Sequence, residues 1–372
     1  MLSEELTDEF EEYICQGEPL QRAKGYAWKT AIGLQAVDGL QTSDYLLQTA
    51  RSHIEGDITI DEAQNRIRSY YESREQRLAA APGTEEADKV AANIAQILNE
   101  ETLSFSVSGL LSVHRRLFRG VFHHAGKIRT VNLTKSEWVL RGDTVRYVSY
   151  VDLEPTISYD LSQEKKFNYA GLTRAQIVAH LVQFVSNLWQ IHPFREGNTR
   201  TTAVFTILYL RSLGFEVEND LFAAHSWYFR NALVRANYQN VAKGIERDTS
   251  FLEKFFRNLL LGESNMLKNR YMIVASPLMA GEEDELMPDE VQVPQKYRIS
   301  TAQVSPLLQA LVEAPLGVKA LMEQMGLRHR VHFLTHYITP ALQAGLIEQL
   351  YPESPRHPRQ KYRLTSRGRA ML

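Results

Sequence analysis

His192, Glu196, Asn198 and Arg200 fall within one run of nine residues, His192-Pro193-Phe194-Arg195-Glu196-Gly197-Asn198-Thr199-Arg200. Of these, only histidine has an unperturbed pKa near neutrality, so His192 suits general-base removal of a hydroxyl proton. Glu196 offers hard carboxylate oxygens of the kind Mg²⁺ takes when it also holds substrate phosphates. Gly197 and Asn198 tolerate the backbone angles of an anion-cradling turn, and the N–H groups opening a following helix point at a phosphate. Arg200 can then grip a phosphate oxygen through its planar fork. The plainer account is that His192 and Pro193 end a helix while Glu196 and Arg200 pair on the surface. A run this long, with each group in chemically useful order, is rare by chance.

The elements around the run must hold it still. Upstream, Ile177, Val178, Leu181, Val182, Val185, Leu188 and Trp189 recur at helical spacing, which predicts a helix over 173–191. Residues 201–213 read as a second buried helix, so the run is predicted to be a tight loop between two core helices. Residues 128–148 read as a β-hairpin, with Val139 and Leu140 before a turn at Arg141-Gly142-Asp143-Thr144 and Val145, Tyr147 and Val148 after it.

The run resembles the signature of the Fic family, H-x-F-x-[DE]-G-N-G-R-x-x-R. Val113-His114-Arg115-Arg116-Leu117-Phe118 and Ala125-Gly126-Lys127-Ile128-Arg129-Thr130 look like the family's early core helix and the approach to its flap. Trp227-Tyr228-Phe229-Arg230-Asn231-Ala232-Leu233 resembles its late helix, and the likeness covers about 103–261. It implies a mainly α fold with a helical core and a β-hairpin flap. The implied activity is that of a protein adenylyltransferase, moving AMP from ATP to a Ser, Thr or Tyr hydroxyl of a target protein. His192 would take the proton, Glu196 would hold Mg²⁺ on the phosphates, and Gly197, Asn198, Thr199 and Arg200 would surround them. Phe194 would be a core anchor. Tyr228 and Asn231 would contact the adenine, and the flap residues Val139, Leu140 and Val145 would line up the target by main-chain pairing. Two positions depart from the signature: Thr199 replaces its third glycine, and Ala203 replaces the second arginine, which usually holds the γ-phosphate. Those departures leave open transfer of another phosphate-containing group, or phosphorylation as in the Doc branch.

A chain of 372 residues has room for two or three domains. Residues 1–100 read as a helical, antitoxin-like inhibitory segment, 101–275 as the catalytic core, 276–294 as an acidic linker and 295–372 as a winged helix-turn-helix domain. The last part carries a net charge of about +7 and the remainder about −9. In the family the inhibitory motif is [ST]-x-x-x-E-[GN]. Asp38, before Gly39, is the best-matching position, with Leu34 where Ser or Thr is expected, and Glu55 before Gly56 is a rival. A turn or cap is the plainer role for Asp38. The tail's helix 332–344, Arg328, Arg330, His336 and a basic wing at 351–361 would contact DNA or dock a protein. A DNA-binding regulator whose core only senses nucleotide is therefore an alternative function. No apolar run approaches ~18 residues, which predicts no membrane span. The acidic start lacks signal-peptide character, and the lone Cys15 excludes an intrachain disulfide. The protein is expected in the cytoplasm, and its late helices and tail are surfaces on which a homo-oligomer would form.

Overall fold

The helix that follows the signature run is buried along most of its length and on every side. Within Asn198–Ser212, residues 198–210 are all buried, as a helix at the centre of a bundle must be. The structure, a computed structural model, describes residues 10, 13–15, 17–73, 80–100, 102–217, 220–274, 307–312, 314–325, 333–338, 341–342, 346–351 and 360–369. The fold is mainly α, with one two-stranded sheet among the described residues. The chain divides into two compact units, Met1–Thr130 with Val145–Val293, and Val131–Thr144 with Pro294–Leu372.

The longer helices of the first unit are α1 (Pro19–Gly33), α2 (Asp44–Glu55), α3 (Ile60–Glu72), α4 (Thr84–Asn99), α5 (Val107–Leu117), α6 (Leu153–Lys166), α7 (Arg174–Ile191), α8 (Asn198–Ser212), α9 (Ser226–Asn237) and α10 (Ser250–Leu261). A capping box starts α7 where the apolar spacing predicts: Thr173 accepts from the Gln176 N–H, and the Gln176 side chain accepts from the Thr173 N–H. Helix α7 packs against α6, α8, α9 and α10, while α4 takes α1 and α3 on its surface and touches α5, which meets α8. The N-terminal helices thus share a unit with the two helices that flank the signature loop. A five-residue 3₁₀ turn, Leu34–Asp38, follows α1 and ends at Gly39, whose φ of 62° suits glycine.

In the second unit, residues 131–144 reverse direction at Arg141 (φ 52°) and Gly142 (φ 93°), where the sequence predicts a turn. Among the described residues no named strand flanks it, and Lys135 forms an isolated bridge. Trp138–Leu140 forms a 3₁₀ turn, the Glu137 N–H donates to the Asp143 carbonyl at 2.9 Å, and the Gly142 N–H donates to the Glu137 carbonyl at 3.0 Å. Val139 and Leu140 are adjacent and both buried. Both lie in the 3₁₀ turn, which does not alternate its side chains between two faces as a strand does. In the C-terminal part, β1 (Ile347–Gln349) and β2 (Tyr362–Leu364) pair antiparallel, with Ile347 opposite Leu364. Leu316 adds a single bridge to Tyr362. A core containing Leu308, Leu321, Phe333, Ile338, Ile347 and Leu364 joins this hairpin to α11 (Val318–Gln324) and to a π-type turn at Leu334–Ile338, within the predicted helix 332–344. The linker 276–294, Arg328, Arg330, the side chain of His336 and the wing loop 352–359 lie outside the described residues.

Helix α4 is tied to α2 and α3 through one buried carboxylate. Asp88 accepts from the Ser43 backbone N–H at 2.9 Å, from the Ser43 hydroxyl and from the Tyr71 hydroxyl at 2.6 Å. Ser43 in turn caps α2 by accepting from the Leu46 N–H. Burial outweighs these bonds and holds the Asp88 pKa above the usual carboxylate value, so its charge is a net cost at neutral pH. Asp88→Ala is expected to cost about 2–3 kcal/mol in denaturant unfolding, because buried donors lose their acceptor. Asp88→Asn, which keeps an acceptor without the charge, should stay within about 1 kcal/mol of the parent. Equal losses in the two variants would assign the effect to the charge instead.

Candidate active site

His192 ends α7 with a left-handed backbone, φ 52° and ψ 56°. Its imidazole is buried, stacked on the Tyr147 ring at 4.0 Å and edge-on to Trp189 at 5.2 Å. Nδ1 lies 3.3 Å from the Trp189 carbonyl oxygen. A carbonyl only accepts, so this contact favours the proton on Nδ1 and leaves the lone pair on Nε2.

The loop after His192 is closed by main-chain bonds. Asn198 Oδ1 accepts from the Phe194 N–H at 2.9 Å while its Nδ2 donates to the Phe194 carbonyl at 2.7 Å. Both ends of the amide are therefore spent on the loop, and what Asn198 can offer an anion is its backbone N–H. Gly197 opens α8 with φ 73°, and a Cβ there would lie 2.1 Å from the Phe118 ring, so the position needs glycine twice over. No side chain caps α8 at Gly197, which suits the first turn to an outside acceptor. Thr199, the departure from the glycine pattern, accepts from the buried Trp189 indole N–H at 2.9 Å.

Arg200 is buried and fully engaged. Its Nη1 donates to Gln35 Oε1 at 3.0 Å and its Nη2 to Glu86 Oε1 at 2.7 Å. Asp38 Oδ2 stands 2.8 Å from Nε, an ion pair whose angle falls short of a hydrogen bond. The guanidinium also lies 4.9 Å from the centre of the Phe118 ring. Burial pushes its pKa down, but Asp38, Glu86 and Glu196 together outweigh that and the net shift is upward. Asp38 thus pairs with the first arginine of the signature, Arg200; the position of the second is Ala203. Ala203 is buried one turn further on. The rival Glu55 is exposed and accepts from the Tyr13 hydroxyl.

Two residues that sequence reasoning quoted without giving a role build the back of the site. The Gly126 N–H donates to His114 Nδ1 at 2.7 Å, which leaves the His114 proton on Nε2, and Nε2–H donates to the Glu196 carbonyl at 3.1 Å. Burial holds the His114 pKa down at about 3, so the ring is neutral, and it stacks on Phe194 at 3.7 Å. Phe194 is the buried anchor that was expected. Arg129 donates through Nε to the His192 carbonyl at 2.8 Å. Nothing in the sequence singles either out, since His114 stands beside Arg115 and Arg116, and Arg129 near Lys127 and Thr130.

The other expected site residues have these surroundings. Tyr228 is buried in α9 with its hydroxyl donating to the Phe251 carbonyl at 3.2 Å, and Asn231 donates to Asn269 Oδ1 at 2.9 Å. The side chains of Val139, Leu140 and Val145 are buried. Glu196 Oε1 is a buried carboxylate atom that accepts no hydrogen bond. No group of three or more His, Cys, Asp or Glu among the described residues is arranged to hold a metal ion. One hard carboxylate fits a Mg²⁺ shared with substrate phosphates and water, and does not fit an all-protein cage.

Comparison with known proteins places this geometry. The Fic/DOC family profile matches residues 104–210, and that of the C-terminal domain of filamentation induced by cAMP protein Fic-like matches 302–365. Protein adenylyltransferase VbhT of Bartonella schoenbuchensis is 29% identical over 119 residues, 31% of this chain and 23% of that protein. A protein adenylyltransferase of Bartonella henselae is 25% identical over 158 residues, covering 38% and 28% of the two chains. The probable protein adenylyltransferase Fic of Escherichia coli K12 is 25% identical over 141 residues, covering 37% and 55%. The chain therefore spans about a quarter to a half of the length of these relatives. A crystal structure of a Fic family protein from Desulfovibrio desulfuricans G20 aligns over 98% of this chain and 95% of that one, with a TM-score of 0.43 and 19% identity. The chain therefore carries a Fic/DOC domain at 104–210, and that domain holds the loop from His192 to Arg200.

Proposed function

We propose that the protein is an adenylyltransferase that moves AMP from ATP to a Ser, Thr or Tyr hydroxyl of a target protein. The observation that carries this reading is His192, with its lone pair on Nε2, standing on the loop that runs into the uncapped first turn of α8. The hydroxyl proton passes to Nε2 as the hydroxyl oxygen attacks the α-phosphorus and pyrophosphate leaves. The N–H groups of Asn198, Thr199 and Arg200 stabilise charge on the phosphate oxygens. Glu196 would hold Mg²⁺, which supplies charge neutralisation to the phosphates when bound. Since the side chains of Val139, Leu140 and Val145 are buried, the flap segment 128–148 would meet a target through its main chain.

The same reading gives the N-terminal segment a task. Arg200 cannot grip a phosphate while Asp38, Glu86 and Gln35 hold it, so the segment acts as an antitoxin-like restraint on the enzyme's own arginine. Sited in the cytoplasm, the enzyme would use its basic C-terminal part to dock its target. No helix among the described residues is long and apolar enough to cross a membrane.

ATP labelled separately at the α and γ positions tests the reaction: α-label on protein is expected. γ-label would mean phosphorylation instead, and no label together with a gel shift by the C-terminal part would favour the DNA-binding regulator. His192→Ala should remove transfer while nucleotide affinity stays, and retention of more than about a tenth of the rate would reject His192 as the base, since base removal costs about 100-fold or more. Glu196→Ala should shift the Mg²⁺ dependence of nucleotide binding to higher metal concentration, and an unchanged titration would remove it as a ligand. Asp38→Asn and Glu86→Gln should each raise transfer several-fold and tighten ATP binding. Unchanged rates and affinities in both and in the double variant, with folding intact, would show that the segment is scaffold.

A further inference from the structure

Arg129 is a cation set deep in the first unit. Its side chain is almost fully buried, and burial lowers its pKa to about 10, which leaves it charged at neutral pH. Several of its contacts are main-chain carbonyls. Nε donates to the His192 carbonyl at 2.8 Å, while Nη2 donates to the Val148 carbonyl and reaches the Ile191 carbonyl at 3.5 Å. Its own backbone N–H donates to the Pro193 carbonyl at 2.9 Å. One residue therefore engages the carbonyls of 191, 192 and 193 and, from the other side, that of Val148.

His192 is one of two non-glycine residues with positive φ among the described residues. In that conformation Cβ crowds the following carbonyl, so the surroundings have to hold it. The left-handed turn also takes the His192 carbonyl out of the helical bonding pattern, and Arg129 Nε supplies its donor. Val148 directly follows Tyr147, whose ring covers the imidazole. The guanidinium is thus bonded both to the backbone that carries the base and to the backbone that carries the ring stacked on it. A planar fork can serve two directions at fixed angles, whereas a lysine ammonium is a point charge on a flexible stem.

Resting on the transfer reaction proposed above, we infer that Arg129 is a positioning residue, which fixes the His192 backbone and the Tyr147 segment together so that Nε2 faces the incoming hydroxyl. It acts through His192 and leaves the phosphate-binding turn of α8 alone. Arg129→Lys is expected to lower the rate constant of transfer about 100-fold, the scale of a misplaced catalytic group. Affinity for a non-hydrolysable ATP analogue should hardly change. The ¹⁵N spectrum of His192, assigned by its loss in His192→Ala, should change from a single tautomer protonated on Nδ1 to an averaged signal.

Lost transfer with an unchanged His192 spectrum overturns the inference, and so do transfer and spectrum that both stay as in the parent. A parent chain that transfers nothing, but whose His192 spectrum changes in Arg129→Lys, sinks the proposed reaction and leaves the positioning role standing. Stability gives a readout that needs no activity. Glycine adopts a φ of 52° without crowding, so Arg129→Lys should lower Tm less in a His192→Gly background than in the parent. An equal drop in both backgrounds overturns the inference even if Arg129→Lys is too unstable for kinetics.

Discussion

A guanidinium stays protonated at any ordinary pH, so burying that of Arg200 obliges the fold to bring opposite charge to it. The structure collects that charge from far along the chain. Gln35 and Asp38 come from the 3₁₀ turn after α1, Glu86 from the first turn of α4, and the Phe118 ring from the end of α5. All of them converge on the first turn of α8. The packing of the N-terminal helices onto the core is therefore also an electrostatic requirement of the signature itself. Without those partners Arg200 would be a bare charge in the interior, or the pocket would have to open and admit water or an anion.

Apart from His192, whose carbonyl accepts from Arg129, the remaining loop groups are held by neutral bonds. His114 is kept uncharged by burial and serves as a rigid relay between the Gly126 N–H and the Glu196 carbonyl. Asn198 closes the loop on Phe194, and the Phe118 ring fills the space a side chain at 197 would need. Phe118 thus touches both the arginine and the glycine, so a change in its packing reaches the loop at two points. The site combines a stiff neutral frame with two buried guanidinium groups, those of Arg200 and Arg129.

The helices flanking the loop were legible because their signals are local: the apolar spacing of 173–191 survives in the structure, where a Thr173/Gln176 box opens the helix. Asp38 was legible through the Gly39 that follows it. Its partner was not, since nothing in the order of residues shows that position 38 lies beside 200 and that Glu86 shares the contact. Asn198 shows a different limit, because an amide suits anion binding and loop closure equally and only geometry decides. Val139 and Leu140 were read as strand from residue type, although two adjacent buried side chains do not fit alternation. Tyr228 and Asn231 were chosen for chemistry that suits an adenine, and the structure adds that the Tyr228 hydroxyl donates to Phe251 and Asn231 Nδ2 to Asn269, while Asn231 Oδ1 accepts no hydrogen bond. His114 and Arg129 were in plain view, but burial, which makes them matter, is invisible in a string of letters.

The hydrogen bond from Trp189 to Thr199 has a consequence for how this sequence can drift. Glycine at 199, the residue the family signature carries, would leave a buried indole N–H without its acceptor. A smaller or apolar residue at 189 would in turn leave the threonine hydroxyl without its donor. Neither position has an easy single step back toward the common signature. The two are expected to change as a linked pair among near relatives, so a lineage that acquired this tryptophan and threonine together has an evolutionary ratchet inside the helix pair that carries its chemistry.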